Sequence, residues 1–480
     1  MSVTADEPFL SKLYQLLAML EFNSERAEVL EAVLKEYLVT RNVSIDVPKE
    51  ARRRWQDRRK HLKAVSRAAP DKTPEEHLKS QWFRQECLLS SNIPAEYIPE
   101  YLVGKFGPFE DIFYSSLGFD TDAVWMFSFR VTEYLEFKKH IVGFRNEPYR
   151  FRTKAEYADL GFVAVPDGDY VERFRNLVTL DIGETRRMLS GTIGRETVNA
   201  ILETLSLNVD ELSVDSGAIR LSLKPLLRLD ENTIVILRPT YLVRGLPAVY
   251  EELAKRLKPY RDSKGTAFEE LVKENLKKLP FQSLAFNVKY GKGYEVDAVL
   301  EFDKSIWFVE VSSHPPSAKS LQGDSVSIGR DLENSIEKCI TQGTRCLNHL
   351  NSEPLSHYKR TGKQLGIFVV VDGVYPQLNM NTAMKFFDEE MPTYVVNWFD
   401  LRCLLDQPET RQFEEFLSWR LLRPMPVVCF DEKDYWAFYF DKYVADKRLR
   451  DAFPMMQRKE LKTFYISPRF TNKDYLENIA

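Results

Sequence analysis

Two apolar runs limit the fold more tightly than anything else in the chain. LGIFVVVDG (365–373) and TYVVNWFDL (393–401) leave almost no polar position facing either way. A strand with one wet face alternates polar and apolar residues, whereas a run apolar on both sides needs cover on both faces. The chain carries helices to supply that cover. GTAFEELVKENLKKL (265–279) lines up Phe268, Leu271, Val272, Leu276 and Leu279, and DLENSIEKCITQGTRCLNHL (331–350) lines up Leu332, Ile336, Cys339, Ile340, Gly343 and Leu347. A further helix is predicted over 408–422. The expected class is therefore α/β, a mixed sheet flanked by helices.

A mostly helical region precedes this domain. Two helices are expected within 8–40, the second from Ser24 to Tyr37, and one long helix over 183–207. From residue 216 the texture changes, with two strands around an Asp-Glu-Asn turn, a helix over 247–257 and a junction at KPYRDSKG (258–265). The expected organisation is 1–215, a helical region for recognition or oligomerisation; 216–260, a connector; 261–425, the α/β domain; and 426–480, a C-terminal appendage. At 480 residues, more than one core is expected. The five cysteines are scattered and form no C-x-x-C pair, which fits a reducing cytoplasm better than a disulfide framework or a structural zinc site. Charged residues interrupt the N-terminal apolar run, so neither a signal peptide nor a membrane-spanning helix is expected.

The residues that bear on chemistry lie in YEVDAVLEFDKSIWFVEVSS (294–313). With Asp303-Lys304 as a two-residue turn, Leu300 faces Trp307, Ala298 faces Val309 and Asp297 faces Glu310. One side of the ribbon is then wholly apolar, and the other carries Glu295, Asp297, Val299, Phe308, Glu310 and Ser312. Carboxylates directly opposite, with Cβ atoms about 4.5–5.5 Å apart, repel. A divalent cation between them converts repulsion into coordination, and Mg²⁺ or Mn²⁺ is the hard ion for oxygen donors. Solvated acids at a strand edge are the alternative. Glu269, beside the apolar stripe of its helix, is placed to be a third acid, and Lys338 and Gln342 share one side of the long helix at i, i+4.

On these residues the segment 265–422 resembles the restriction-endonuclease-like, PD-(D/E)XK nuclease superfamily. Its layout is an acidic helix, an Asp early in one strand, (D/E)-x-K at the end of the next, and a following helix. Glu269, Asp297 and Glu310 match the acids, and Gln342 resembles the helix glutamine of the RecB-like branch. The resemblance implies Mg²⁺- or Mn²⁺-dependent hydrolysis of phosphodiester bonds in nucleic acid, with DNA the expected substrate. Asp297, Glu310 and Glu269 would bind metal, and a lysine would steady the charge developing on phosphate. Ser312 stands where the motif has that lysine, and serine brings no positive charge. Lys338 or Lys292 would substitute for it, metal alone would suffice with Glu295 completing the cluster, or the fold survives as an inactive module that binds nucleic acid or scaffolds a complex. By analogy of fold alone, defence against foreign DNA would suit such a protein.

The net charge of −4 makes no global case for a polyanion, so any nucleic-acid contact is local. ARRRWQDRRKHLK (51–63) concentrates Arg52, Arg53, Arg54, Arg58, Arg59 and Lys60 around Trp55. It reads either as a solvated helix face or as a phosphate-contacting patch with an aromatic ring to stack. His314, after Ser312 and Ser313 and before two prolines, reads as a loop residue or as a contact at the mouth of the site. No phosphate-binding loop, H-E-x-x-H or G-x-S-x-G motif is present.

Overall fold

The computed structural model describes residues 7–22, 27–51, 53, 54, 56, 93–141, 166, 168–208, 221–317, 320, 325–373, 392–406, 412–421, 432, 435, 436, 439 and 440. They fall into two units, the first ending at Ser263 and the second beginning at Lys264. No helix among the described residues is long and apolar enough to cross a membrane.

The first unit packs helices, among them Glu7–Phe22, Ala27–Thr40 and Thr121–Ile141, with a small mixed sheet. That sheet runs in the order Thr179–Asp181, Thr233–Ile236, Leu226–Arg228, Ser206–Asn208, with only the last pairing parallel. The single helix expected over 183–207 is broken in two at Gly194, whose φ of 81° lies in the left-handed region that glycine adopts without a Cβ penalty. The expected junction 258–265 is instead the opening of a helix, α1 (Lys258–Leu276). Pro259 is tolerated there because the N–H groups of the first helical turn make no intrahelical bond that proline would forfeit, and Tyr260 is fully buried against Phe106 and Phe109.

The second unit is a five-stranded mixed sheet flanked by helices. Its strands are β1 (Ser283–Tyr290), β2 (Tyr294–Glu301), β3 (Ser305–Ser312), β4 (Gln364–Val371) and β5 (Thr393–Asn397), paired in that order. The β1–β2 and β2–β3 pairs are antiparallel, and β3–β4 and β4–β5 are parallel. The crossover from β3 to β4 carries α2 (Ser325–Leu332), a π-helical turn over Glu333–Glu337, α3 (Lys338–Asn348) and α4 (Ser356–Arg360). β1 is absent from the sequence reading. The run 393–401 is strand only to Asn397, whose side chain accepts the Asp400 N–H and caps the helix α5 (Trp398–Leu405). A last helix, α6 (Phe413–Leu421), follows.

Both faces of the sheet are covered. On one, Val299, Ile306, Phe308, Ile367, Val369 and Val395 pack against Leu332, Ile336, Cys346 and Leu347 of the crossover. Gly343 allows the close approach, since a Cβ there would sit 2.7 Å from Ile367 Cγ2. On the other face, Phe302 and Phe368 meet Phe413 of α6 at ring separations of 6.2 and 6.3 Å. The hairpin of β2 and β3 is thus covered on both faces along residues 298–300 and 305–310. Glu432, Trp436 and Tyr439, beyond the domain end expected at 425, pack into this same unit.

Candidate functional site

The turn at Asp303-Lys304 sets the register as expected, with Ala298 opposite Val309 and Leu300 opposite Trp307. Asp297 and Glu310 come next along the two strands, and there the ladder stops. Phe302 N–H donates to Ser305 C=O across the turn, so backbone bonds fall at every second pair and Val311 N–H would next reach for Val296. It donates instead to Asp297 Oδ2 at 2.7 Å. The strands therefore part where the acids sit. Glu295 pairs with Lys289 on β1 and does not face Ser312, because the β2–β3 ladder ends before it. Ser312 pairs with Val371 across β4, and its hydroxyl oxygen accepts the His314 N–H.

Glu310 is 2% exposed, and its Oε1 has no hydrogen-bond partner among the described residues. A buried carboxylate oxygen without a donor costs its full desolvation penalty, roughly 1–3 kcal/mol or more. Burial pushes the Glu310 carboxyl up to about 9, helped by the negative charges of Asp297 and Glu269. Burial also raises Asp297 to about 6, although the Val311 N–H works in the other direction. These are two acids that resist being ionised together.

The structure puts Glu269 within electrostatic reach of both acids, yet holds it against a lysine. Lys273 Nζ lies 2.5 Å from Glu269 and 3.1 Å from Glu270, and Lys273 is itself buried. Its positive charge favours the ionised form of Asp297. Sequence reasoning missed this residue, although its signal is the i, i+4 spacing from Glu269. Among the described residues no three His, Cys, Asp or Glu side chains converge closely enough to hold a metal. The donor set on the page is thus Asp297 and Glu310, two hard oxygen ligands of which one has an unpartnered buried atom. That set fits a Mg²⁺-like ion, which takes one or two carboxylates and completes its shell with water.

Of the lysines expected to stand in for Ser312, Lys338 opens α3, is exposed, and acts on Glu310. Lys292 is exposed in the tight turn between β1 and β2. Gln342 is half-buried on α3, and its backbone carbonyl accepts Tyr290 Oη at 3.5 Å. His314 Nε2 lies 3.2 Å from Asp331 Oδ1, and Asp331 also accepts the Ser317 N–H at 2.6 Å and the Ser320 hydroxyl. Burial alone would raise the Asp331 carboxyl, but those donors hold it down at about 2. His314 therefore belongs to a loop tied down on α2.

In the basic stretch, Arg53 pairs with Glu50 at 2.6 Å, and Arg54 pairs with Glu50 at 2.8 Å and with Glu36. Two of the six cations proposed for a phosphate patch are thus committed to acids. Arg52, Trp55, Arg58, Arg59 and Lys60 have no described side chain.

No family model matches the chain, and no curated protein does so. Among solved structures the chain is similar to the small subunit of the heterodimeric restriction endonuclease R.BspD6I, at 16% identity and a TM-score of 0.20, over 37% of this chain and 88% of that one. A likeness at that score bears no weight on function, which rests on the site itself.

Proposed function

We propose that the second unit is a metal-dependent nuclease of the PD-(D/E)XK type, close to the RecB-like branch, hydrolysing phosphodiester bonds of nucleic acid, DNA in the first instance. The observation that carries this reading is the parting of β2 and β3 at a half-buried and a fully buried acid, the latter, Glu310, with an oxygen that no donor among the described residues satisfies. A purely structural hairpin gains nothing from that arrangement and would be more stable with apolar residues. Asp297 and Glu310 would hold Mg²⁺ or Mn²⁺. Such an ion supplies a water of lowered pKa and polarises the phosphoryl oxygen. Asp297 bonds Val311 N–H and so keeps the strand ends apart. Glu269 holds the Lys273 ammonium beside Asp297, where it offers the positive charge that Ser312 does not. Defence against foreign DNA is a setting in which this activity would serve.

Ser312 itself favours a second reading, an inactive module that retains the fold and binds nucleic acid or scaffolds a complex. One experiment separates the two. The protein is incubated with plasmid, linear and single-stranded DNA and with RNA, in Mg²⁺ or Mn²⁺, alongside Asp297→Ala and Glu310→Ala. Cleavage lost in both variants supports the nuclease. Cleavage that persists in both sinks it, and binding without cleavage on every substrate favours the module.

A further inference from the structure

One helix face and one exposed ring remain unused by the reading above. Lys338, Gln342 and Arg345 recur at i, i+4 and i+7 along α3, and His349, which caps its C-terminal end, continues the spacing at i+11. At about 100° per residue they fall within about 60° of arc, in a stripe about 16 Å long. The buried residues Cys339, Gly343, Cys346 and Leu347 lie on the adjoining face, so the stripe borders the core. α3 packs on β3 next to Glu310, whose charge helps burial push the Cys346 thiol up to about 12.

At its far end the stripe meets an aromatic group. Arg345 Cζ lies 4.6 Å from the ring centroid of Tyr294. His349 closes on the same ring at 5.9 Å and on Tyr290 at 5.4 Å. Tyr290 is buried, but Tyr294 is 40% exposed. A tyrosine held this firmly by a guanidinium and an imidazole, yet open to water, is a preformed stacking surface. Cations spaced along a surface with an exposed ring at the end suit a single strand, charge for its backbone and a π-face for a base.

We propose that α3 and Tyr294 form a track for single-stranded nucleic acid, its phosphates following the Lys338–Arg345 stripe and one unpaired base stacking on Tyr294. The inference rests on the reading that the carboxylate site takes nucleic acid, and it narrows the substrate to a strand that is unpaired next to the scissile bond. A blunt duplex cannot offer such a base without first fraying.

Binding of a fluorescent single strand with phosphorothioate linkages is measured by anisotropy on the full chain, in Ca²⁺, against a blunt duplex of the same sequence. The single strand should bind at least about tenfold tighter. Tyr294→Ala should lower that affinity about 5- to 150-fold, the range of one base–aromatic stack, and Tyr294→Phe should keep it. A single abasic nucleotide, moved along the strand, should find one position where it costs as much as Tyr294→Ala and where the two losses do not add. Unchanged thermal melting confirms that Tyr294→Ala folds. Equal affinity for strand and duplex, no measurable binding of either, or losses that add at every abasic position would each overturn the proposal. Stacking-dependent binding with no cleavage of the unmodified strand in Mg²⁺ or Mn²⁺ instead defeats the nuclease reading and leaves the track standing.

Discussion

The second unit buries two glutamates almost equally and treats them in opposite ways. Glu432 is 3% exposed and Glu310 is 2% exposed. Glu432 accepts two N–H bonds from Arg420, at 3.2 and 3.0 Å, and the Tyr394 hydroxyl at 3.0 Å, while its own backbone N–H donates to Asp400 Oδ2. Glu310 feels the charge of two other acids and keeps an oxygen with no donor among the described residues. The first site is what a buried charge looks like when it holds a fold together, with every demand met inside the protein. The second leaves a demand that no donor among the described residues meets. Burial alone does not separate the two; the partners do.

The sharpest way to break this contrast is to neutralise each acid. Glu310→Gln should lower the cleavage rate by about 10³-fold, equivalent to several kcal/mol of transition-state stabilisation, while the thermal midpoint stays level or rises. Glu432→Ala should do the reverse, with denaturant unfolding reporting a loss of about 3–5 kcal/mol as Arg420 is left buried without its partner. If both variants behave alike, the distinction drawn here fails.

Lys273 tests whether the open site also contains its own cation. Lys273→Ala should cost about 10²-fold in kcat with little change in KM. Adding Ser312→Lys in that background should restore most of it, since the charge is then supplied from the motif position. A lysine needed only for the helix would not be rescued from β3.

Proton linkage gives a smaller, graded signal. Glu310 and Asp297 are raised to about 9 and about 6, so the folded chain keeps protons that the unfolded chain releases near pH 4. Across that window the unfolded state binds fewer protons, and stability falls as pH rises until the folded value of Glu310 is passed. Glu310→Gln should flatten the fall between about pH 5 and pH 9. Mg²⁺ at a hundred times its Kd should add about 2.7 kcal/mol where the acids are ionised, so its effect on Tm should be larger at about pH 8 than at about pH 6. Scanning calorimetry at both values reads this directly.

Much of the second unit was legible from residue order. The turn at Asp303-Lys304 set the β2–β3 register, and the apolar runs required helices on both faces. What escaped had local causes. β1 is an edge strand of mixed exposure whose Asn287 takes a left-handed φ of 51°, so it shows no clean alternation. At Asn397 the chain turns from strand to helix with no break in hydrophobicity, and only the side-chain cap marks the change. The apolar stripe places Glu269 toward the site, but Lys273 looks like an everyday surface lysine, because the i, i+4 spacing gives the partnership and not that the lysine is buried. The parting of β2 and β3 depends on a side chain taking a backbone donor, which no periodicity encodes.

That stolen donor makes Val311 an informant. Its amide hydrogen is held by one carboxylate oxygen and not by a ladder, so its rate of exchange with deuterium follows the charge on Asp297. Protonating Asp297, or drawing its electrons toward a bound cation, weakens the acceptor and loosens a single amide. Removing the side chain frees that hydrogen to find Val296, and the hairpin can then zip one pair further and shut the gap. A single backbone resonance would thus report occupancy of the acids in a protein whose substrate has yet to be supplied.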